Sequence, residues 1–230
     1  MQALYDKYPE LRTVERHGRH RLGVRKAVLR HAPKHSIGAE IGVFTGLFAD
    51  VLAEEIPSEC IYLVDPWAKL HGSHFPNWGS YTAQISLSTQ AAKEAAVWRA
   101  ETADSRCIVI EDFGAHWLQT HEKPFLGWAY LDANHSFQAV IEDLREIERC
   151  LLPNGTIMGD DMWLSDEGEI SEVYLAVREF CKSANFDLVH ADQHGQWAVR
   201  RTDYIDQLSS PQRREYTNAP PSSQQPNDKE

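Results

Sequence analysis

Three aspartates and a histidine carry the strongest chemical signal in this 230-residue chain. Asp132 closes the apolar run GWAYLD, and His135 follows three positions later at the start of a helical pattern. Asp160 and Asp161 close a second apolar run, TIMGDD. Because the carboxyl ends of parallel strands meet at one edge of a sheet, we expect these four side chains to share one site.

Three carboxylates at one site must be neutralised, since a pair about 4 Å apart repels by about 4 kcal/mol at an effective dielectric constant of about 20. No Lys or Arg lies close to them in sequence. An all-oxygen set without cysteine favours Mg²⁺, with Mn²⁺ or Ca²⁺ as alternatives. Asp132, Asp160 and Asp161 are therefore the predicted metal ligands, and His135 is the predicted general base. Helix capping or solvent exposure would explain each residue equally well if it stood alone.

A glycine turn follows the first predicted strand and contains Glu40, Gly42 and Gly46. The backbone N–H groups of such a turn face a nucleotide-like ligand at the carboxyl edge of the sheet. NAD is disfavoured because Phe44 stands where the dinucleotide fingerprint needs glycine, and a phosphate-binding loop is disfavoured because no lysine follows Gly46. Asp65 closes the second strand, where its carboxylate can accept both hydroxyls of a ribose.

Alternating strand and helix patterns predict the fold that positions these residues. Five short apolar runs alternate with helical patterns, which indicates three layers around a parallel sheet. We predict an α/β, Rossmann-like, doubly wound sheet that is mostly parallel, with helices on both faces and a C-terminal antiparallel hairpin. The predicted strands are 37–43, 60–65, 106–112, 127–132 and 156–161, the hairpin pairs 186–191 with 196–201, and helices are predicted over 47–56, 84–102, 137–151 and 169–181.

The chain divides into an N-terminal helical segment, 1–36, a main domain, 37–202, and a flexible polar tail, 203–230. Residues 1–34 hold nine Lys and Arg against three acids. We expect an amphipathic helix over 13–31, with its basic residues facing solvent. Because the two helical layers leave this helix no obvious place, it is expected to pack on the domain and contribute to a possible homo-oligomer.

The composition and charge of the chain limit the classes of molecule that it is expected to bind. The net charge of −11 opposes binding to nucleic acid or to an anionic membrane. No apolar run approaches the roughly 18 to 20 residues that span a bilayer, and we expect a cytoplasmic protein without a membrane partner. A small molecule is the expected substrate. Residues 70–81, rich in His, Gly and aromatic side chains, are predicted to form a lid or pocket wall, with Trp67, Trp78, Tyr81 and Trp163 as candidate wall residues.

The pattern E-x-G-x-x-x-G at Glu40–Gly46, followed by a strand that ends in Asp65, resembles the S-adenosylmethionine site of class I methyltransferases. The resemblance implies a set of cofactor-binding residues. These are Glu40 and Gly42 near the methionine end, Gly46 in the same turn, Asp65 on the ribose, and Asp112 with Phe113 near the adenine.

The motif D-x-x-H at Asp132–His135, with the acid pair at Asp160 and Asp161, is similar to the metal-dependent O-methyltransferases. It is closest to the subgroup that includes macrolide-sugar O-methyltransferases and cephalosporin hydroxylase-type proteins. This resemblance implies Mg²⁺-dependent transfer of a methyl group from S-adenosylmethionine to a hydroxyl of a small molecule of the sugar or natural-product type. Catechol-type relatives typically carry lysine at the position of His135, which favours an aliphatic hydroxyl here.

Two alternatives stay open. The first keeps the fold and the cofactor but needs no metal, so that the acids only cap helices and bind the cofactor. The second is a hydroxylase-type or accessory protein that keeps the fold without transferring a methyl group.

Overall fold

A computed structural model describes residues 1–103, 106–165 and 168–203, and residues 204–230 of the predicted tail lie outside this part. The strands form one sheet in the order β3-β2-β1-β4-β5-β7-β6. Strands β1 to β5 run parallel, and β7 is antiparallel to both β5 and β6. The predicted sheet, with its antiparallel hairpin, is confirmed. Its strands are β1 (Ile37–Ile41), β2 (Cys60–Asp65), β3 (Cys107–Glu111), β4 (Leu126–Leu131), β5 (Leu151–Gly159), β6 (Phe186–Ala191) and β7 (Trp197–Arg201).

Helices cover both faces of the sheet. They are α1 (Gln2–Lys7), α2 (Pro9–Gly18), α3 (Leu22–Arg25), α4 (Leu47–Glu55), α5 (Ala68–His71), α6 (Thr89–Thr102), α7 (Gly114–Gln119), α8 (Phe137–Cys150) and α9 (Glu172–Ala184). One hydrophobic core lies under α2, α4 and α6, and a second lies under α7, α8 and α9. In α8 the apolar residues Val140, Leu144 and Ile147 recur at helical spacing and are buried together, as the pattern predicts.

Two helices begin later than predicted, and serine caps explain both differences. The Ser88 hydroxyl accepts a hydrogen bond from the Ala91 N–H, so α6 begins at Thr89 rather than at residue 84. Similarly, the Ser171 hydroxyl accepts from the Tyr174 N–H and α9 begins at Glu172. A serine at this position satisfies a backbone donor that the first helical turn would otherwise leave free.

The N-terminal segment is not the single amphipathic helix that we predicted over 13–31. After α2 the chain forms two 3₁₀ turns, at 19–21 and 27–31, on either side of α3. Val14 and Val28 are buried in the same core as sheet residues. The expected exposure of the basic residues is wrong for Arg25, of which 5% is exposed. The segment is therefore part of the packed structure, and its side chains reach the edge of the sheet.

In the described part of the chain, no helix has the length and apolar character needed to cross a membrane.

Candidate active site

Asp65 holds the glycine turn in place. Its Oδ2 accepts hydrogen bonds from the backbone N–H groups of Val43 and Phe44, each at 2.9 Å, and its Oδ1 accepts from the Trp67 N–H at 2.8 Å. Burial raises the pKa of Asp65, while these backbone donors lower it. Much of the carboxylate's acceptor capacity is thus used by the turn itself, and the predicted contact with a ribose remains a prediction.

Gly42 brings this turn against the end of β4. Its φ is +92°, and a Cβ at this position would lie 2.1 Å from the carbonyl oxygen of Asp132. A residue with a side chain would collide with that backbone and would also be strained at this φ. Position 42 therefore requires glycine for a steric reason, because the turn packs directly against the residues after β4. Together they form one wall of the site.

A cavity of about 1220 Å³ opens at the carboxyl edge of the sheet. It is larger than the roughly 300–1,000 Å³ that a single small ligand usually occupies, so two molecules fit side by side. The glycine turn lies along it, with residues 113–116 and 132–136 among its lining. Of the predicted wall residues, Trp78 and Tyr81 line the cavity, whereas Trp67 is fully buried beneath the turn and Trp163 does not line it.

Glu40 offers the cavity an acceptor without a protein donor. It is 2% exposed, and its Oε2 has no hydrogen-bond partner among the residues that the structure describes. Burial, together with the nearby charge of Asp132, raises the pKa of Glu40 well above its usual range. A buried acceptor left unpaired is costly, and a ligand ammonium group would remove that cost. This orphaned atom fits the amino group of S-adenosylmethionine, and the place of Glu40 at the methionine end of the cofactor stays a prediction.

Asp112 lies beside the cavity rather than in its wall. Its carboxylate is held by the Lys69 ammonium at 3.1 Å, by His116 Nδ1 at 2.7 Å and by the Phe113 N–H at 3.0 Å. Phe113 itself lines the cavity, with 44% of its surface exposed. At the predicted adenine end, the ring of Phe113 is therefore available to a ligand, and Asp112 shapes the turn that presents this ring.

Asp143, on α8, was missed by the sequence analysis. It lines the cavity and is 9% exposed, and a Cβ at Gly114 would come within 2.9 Å of its Oδ1. Burial raises its pKa to about 7, although a hydrogen bond from the Ala115 backbone lowers it. A carboxyl group inside an otherwise apolar helix face, as in VIEDLREI, is the sequence signal that could have found it.

We expect Asp143→Asn to change how stability depends on pH. Between the unfolded pKa of about 3.9 and the folded value, the folded state holds a proton that the unfolded state releases, so wild-type stability falls as pH rises. The slope is about 1.4 kcal/mol per pH unit, and the variant should lack it. Urea unfolding at pH 4.5, 5.5 and 6.5 measures the difference. A constant gap between the two proteins would contradict this assignment.

Asp132, His135 and Asp161 converge at one end of the cavity. His135 Nε2 lies 3.2 Å from Asp161 Oδ2 and 3.6 Å from Asp132 Oδ1. A hydrogen bond to Asp132 raises the pKa of the His135 imidazole, and the negative charge of Asp161 raises it further, while burial lowers it. The side chain of His135 is 54% exposed, so one face of the ring remains open to the cavity. The structure thus brings together the predicted base and two of the three predicted metal ligands.

Two arginines from the N-terminal segment, which the sequence analysis placed on the surface, neutralise the aspartates. Arg25 Nη1 lies 2.8 Å from Asp132 Oδ2, and Arg25 Nη2 contacts Asp160 Oδ2. Arg21 Nη2 lies 3.0 Å from the same oxygen of Asp160 and 3.5 Å from Asp161 Oδ1. Although burial alone would raise the pKa of Asp132, the Arg25 charge holds it below its usual value. Arg25 lies between Leu22 and Val28 at a spacing typical of one helix face. Its place among these apolar residues was the sequence signal that could have indicated a buried arginine.

Asp160 is fully engaged by donors. Besides the two arginines, its Oδ1 accepts hydrogen bonds from Gln196 Nε2 and from the Asp161 N–H at 2.7 Å. The three predicted carboxylates therefore do not form an open oxygen site. Among the residues that the structure describes, the candidate ligand atoms that do lie within 4.8 Å of one another belong to Asp132, His135 and Asp161. An imidazole nitrogen in place of a carboxylate suits zinc or iron better than Mg²⁺, so the residues present do not fit the predicted magnesium site.

Comparison with known families gives a match over residues 39–162, more than half of the chain, to the family described as "Methyltransferase domain". The chain belongs to this methyltransferase family. It is a class I, S-adenosylmethionine-dependent methyltransferase, as the glycine turn and the strand pattern predicted. The matched region contains the glycine turn, Asp132, His135 and the Asp160–Asp161 pair, but not Arg21 or Arg25. The metal-dependent O-methyltransferase subgroup stays a prediction.

Solved structures share the methyltransferase fold at low sequence identity. A candidate rRNA methylase from Clostridium thermocellum is 15% identical, with a TM-score of 0.53 over 77% of this chain and 92% of that chain. A methyltransferase from Podospora anserina with bound S-adenosylhomocysteine is 19% identical, with a TM-score of 0.51 over 72% and 71% of the two chains. Precorrin-6y C5,15-methyltransferase from Geobacter metallireducens is 11% identical, with a TM-score of 0.53 over 77% and 85%. Among curated proteins nothing matches.

Proposed function

We propose that this methyltransferase transfers a methyl group to a hydroxyl oxygen of a small molecule. The observation that carries the proposal is the His135–Asp161 pair, which lies beside Asp132 in the same cavity that the glycine turn lines. The cofactor supplies a methyl group bound to a positively charged sulfur. The protein must then hold the acceptor oxygen in line with that methyl group and take its proton.

The histidine is arranged to act as a general base. With Nε2–H directed at Asp161, the neutral imidazole carries its lone pair on Nδ1, which takes the acceptor proton as the oxygen–carbon bond forms and the carbon–sulfur bond breaks. Asp161 and Asp132 stabilise the imidazolium that results. A hydroxyl needs such a base because it is almost fully protonated near pH 7, whereas a neutral amine already has a free lone pair. The base therefore favours oxygen as the acceptor atom.

The position of the base favours a small acceptor. His135 lies in the wall of a concave site that must also contain the cofactor, so the acceptor enters beside it. Glu142 and Glu172 add negative charge to a lining whose arginines, Arg21 and Arg25, are already paired with aspartates, and the whole chain carries a net charge of −11. Acidic walls repel a polyanion, which supports a small molecule over RNA as the acceptor.

No step of this proposal passes through a metal ion. The sequence predicted Mg²⁺ as the counter-charge for Asp132, Asp160 and Asp161, but Arg21 and Arg25 already supply two positive charges against these three carboxylates. Asp160, with four donors around it, has no oxygen free to bind a cation.

Glu40→Gln should weaken the binding of S-adenosylmethionine. Loss of a charged acceptor for the ammonium group costs about 1.5–3 kcal/mol, or roughly 10- to 150-fold in affinity. Titration calorimetry measures the change. 5′-Methylthioadenosine, which lacks the amino-acid part, is the control ligand and should bind both proteins equally. An equal loss for both ligands would show that Glu40 shapes the turn rather than contacting the ammonium group.

The acceptor class is tested by methyl transfer from radiolabelled cofactor. The panel contains polyols and sugars with free hydroxyls, phenols, primary amines and a ribosomal RNA fragment. We expect label in the hydroxyl compounds, and NMR of the product should show an O-methyl group. Label confined to the amines or the RNA would refute hydroxyl methylation of a small molecule.

A further inference from the structure

The Arg25 guanidinium lies between two of the carboxylates that a divalent cation would have bridged. One terminal nitrogen contacts Asp132 and the other contacts Asp160. The side chain of Arg25 is only 7% exposed, and its guanidinium also packs over the ring of Phe48, 5.2 Å from the ring centroid. The positive charge at this position is thus the Arg25 guanidinium itself, which the protein encloses on several sides.

The segment that delivers this cation is anchored by its own core residues. Leu11 and Val14 precede it and Val28 and Leu29 follow it, and all four are at most 4% exposed. Arg25 is consequently placed by packing, not by a flexible surface contact. Since the segment lies outside the matched family region, the family match does not account for this arginine.

The charges at the site are already close to balance. Three carboxylates face two guanidinium groups, and a proton on His135 would complete the balance. A divalent cation bound between Asp132 and Asp161 would add two positive charges next to the buried Arg25. Because Arg25 cannot lose its proton near neutral pH, it and the cation would repel each other strongly.

We propose that Arg25 is a positioning residue that takes over the charge-balancing role of a divalent cation, with the half-buried Arg21 as its partner. Arg25 holds Asp132 beside His135 and holds Asp160 against the end of β5, so the site is assembled without metal. The inference rests on the proposed base chemistry for its activity readout only. Its binding readout needs no acceptor.

The test begins with the wild-type protein and Mg²⁺ alone. We expect MgCl₂ to leave the melting temperature unchanged, calorimetry to show no Mg²⁺ binding with or without S-adenosylmethionine, and EDTA to leave turnover unchanged. Binding of Mg²⁺ to the wild type, or loss of turnover in EDTA that Mg²⁺, Zn²⁺ or Fe²⁺ restores, would overturn the proposal. Absence of turnover with every hydroxyl acceptor would count against the proposed function, and the Mg²⁺ titration would still decide the role of Arg25.

The variant Arg25→Met reverses the expected behaviour. It leaves the carboxylates without their buried cation, so turnover should fall on the order of 10²-fold, and Mg²⁺ should now bind and raise the melting temperature. A purely structural arginine would lower stability without creating a Mg²⁺ response. Arg16→Met, which removes an exposed charge from α2, is the matched control and should behave as wild type.

Two further variants cover a failure of Arg25→Met to fold. Arg25→Met combined with Asp160→Asn removes one charge of each sign and should fold without a strong Mg²⁺ response. Arg21→Gln removes the guanidinium beside Asp161, where both side chains are half-buried, and the variant should bind Mg²⁺ weakly while Arg25 stays in place. If neither Arg21→Gln nor Arg25→Met responds to Mg²⁺ more than wild type, Arg25 and Arg21 do not replace a cation.

Discussion

His135→Ala should reduce turnover by about 10²- to 10⁴-fold, which is the usual contribution of a positioned general base. The affinity for S-adenosylmethionine should stay close to that of the wild type, because the groups predicted to bind the cofactor are Glu40 and the glycine turn rather than the His135 imidazole. Single-turnover kinetics with saturating cofactor measures the chemical step, and calorimetry measures the affinity.

A matched histidine separates a specific effect from a general one. His194 is exposed in the turn between β6 and β7, and His194→Ala should leave turnover unchanged. The melting temperature of His135→Ala should also change little, since half of that side chain is exposed. Wild-type turnover in His135→Ala would remove the imidazole from the reaction and leave Asp161 with no base to orient.

Asp160→Asn should produce the largest loss of stability. The groups that hydrogen-bond to this carboxylate in the described part of the chain are all donors: Arg21, Arg25, Gln196 and the Asp161 N–H. An amide nitrogen at position 160 would face a donor in either orientation, and the buried Arg25 would lose part of its counter-charge. Breaking a buried ion pair in this way costs about 3–5 kcal/mol, which urea unfolding can measure.

The neighbouring Asp161→Asn is the control for this effect. Asp161 is more exposed and has a φ of +61°, a conformation that asparagine tolerates well. We therefore expect a stability loss of about 1 kcal/mol or less, together with a clear fall in turnover because His135 loses its orienting carboxylate. Equal stability losses at the two positions would show that Asp160 is not the structural member of the pair.

Local sequence patterns were sufficient for much of the fold. Short apolar runs that end in glycine or an acid predicted β1 to β4 to within two residues, because a buried parallel strand leaves little choice of side chain. The prediction for β5 was less accurate, since this strand begins at Leu151, five residues before the predicted start at 156. The turn residues of 192–195 likewise predicted the hairpin of β6 and β7. The ends of strands also predicted that Asp132 and Asp161 would meet, since parallel strands place their carboxyl ends at one edge.

Local sequence patterns could not identify the positive charge that balances the aspartates of the site. Arg25 is more than 100 residues from Asp132 in the sequence, and only the packing of the N-terminal segment brings them together. The sequence analysis placed Arg25 on a solvent-facing stripe, so it found no basic residue to balance the carboxylates and predicted a metal ion instead. Asp143 was missed for the same reason, because its surroundings come from α7 as well as from its own helix.

The sequence by itself determined which polar residues stand at the ends of the strands, since strand patterns and glycine turns depend on residues that are neighbours in the chain. Only the tertiary structure decided which charges face one another. Asp160 and Asp161 are adjacent in the chain, yet one is 3% exposed and held by four donors while the other is oriented toward His135. The physical reason is that electrostatic balance at a buried site depends on distance in space, and distant segments of the chain supply the opposite charge.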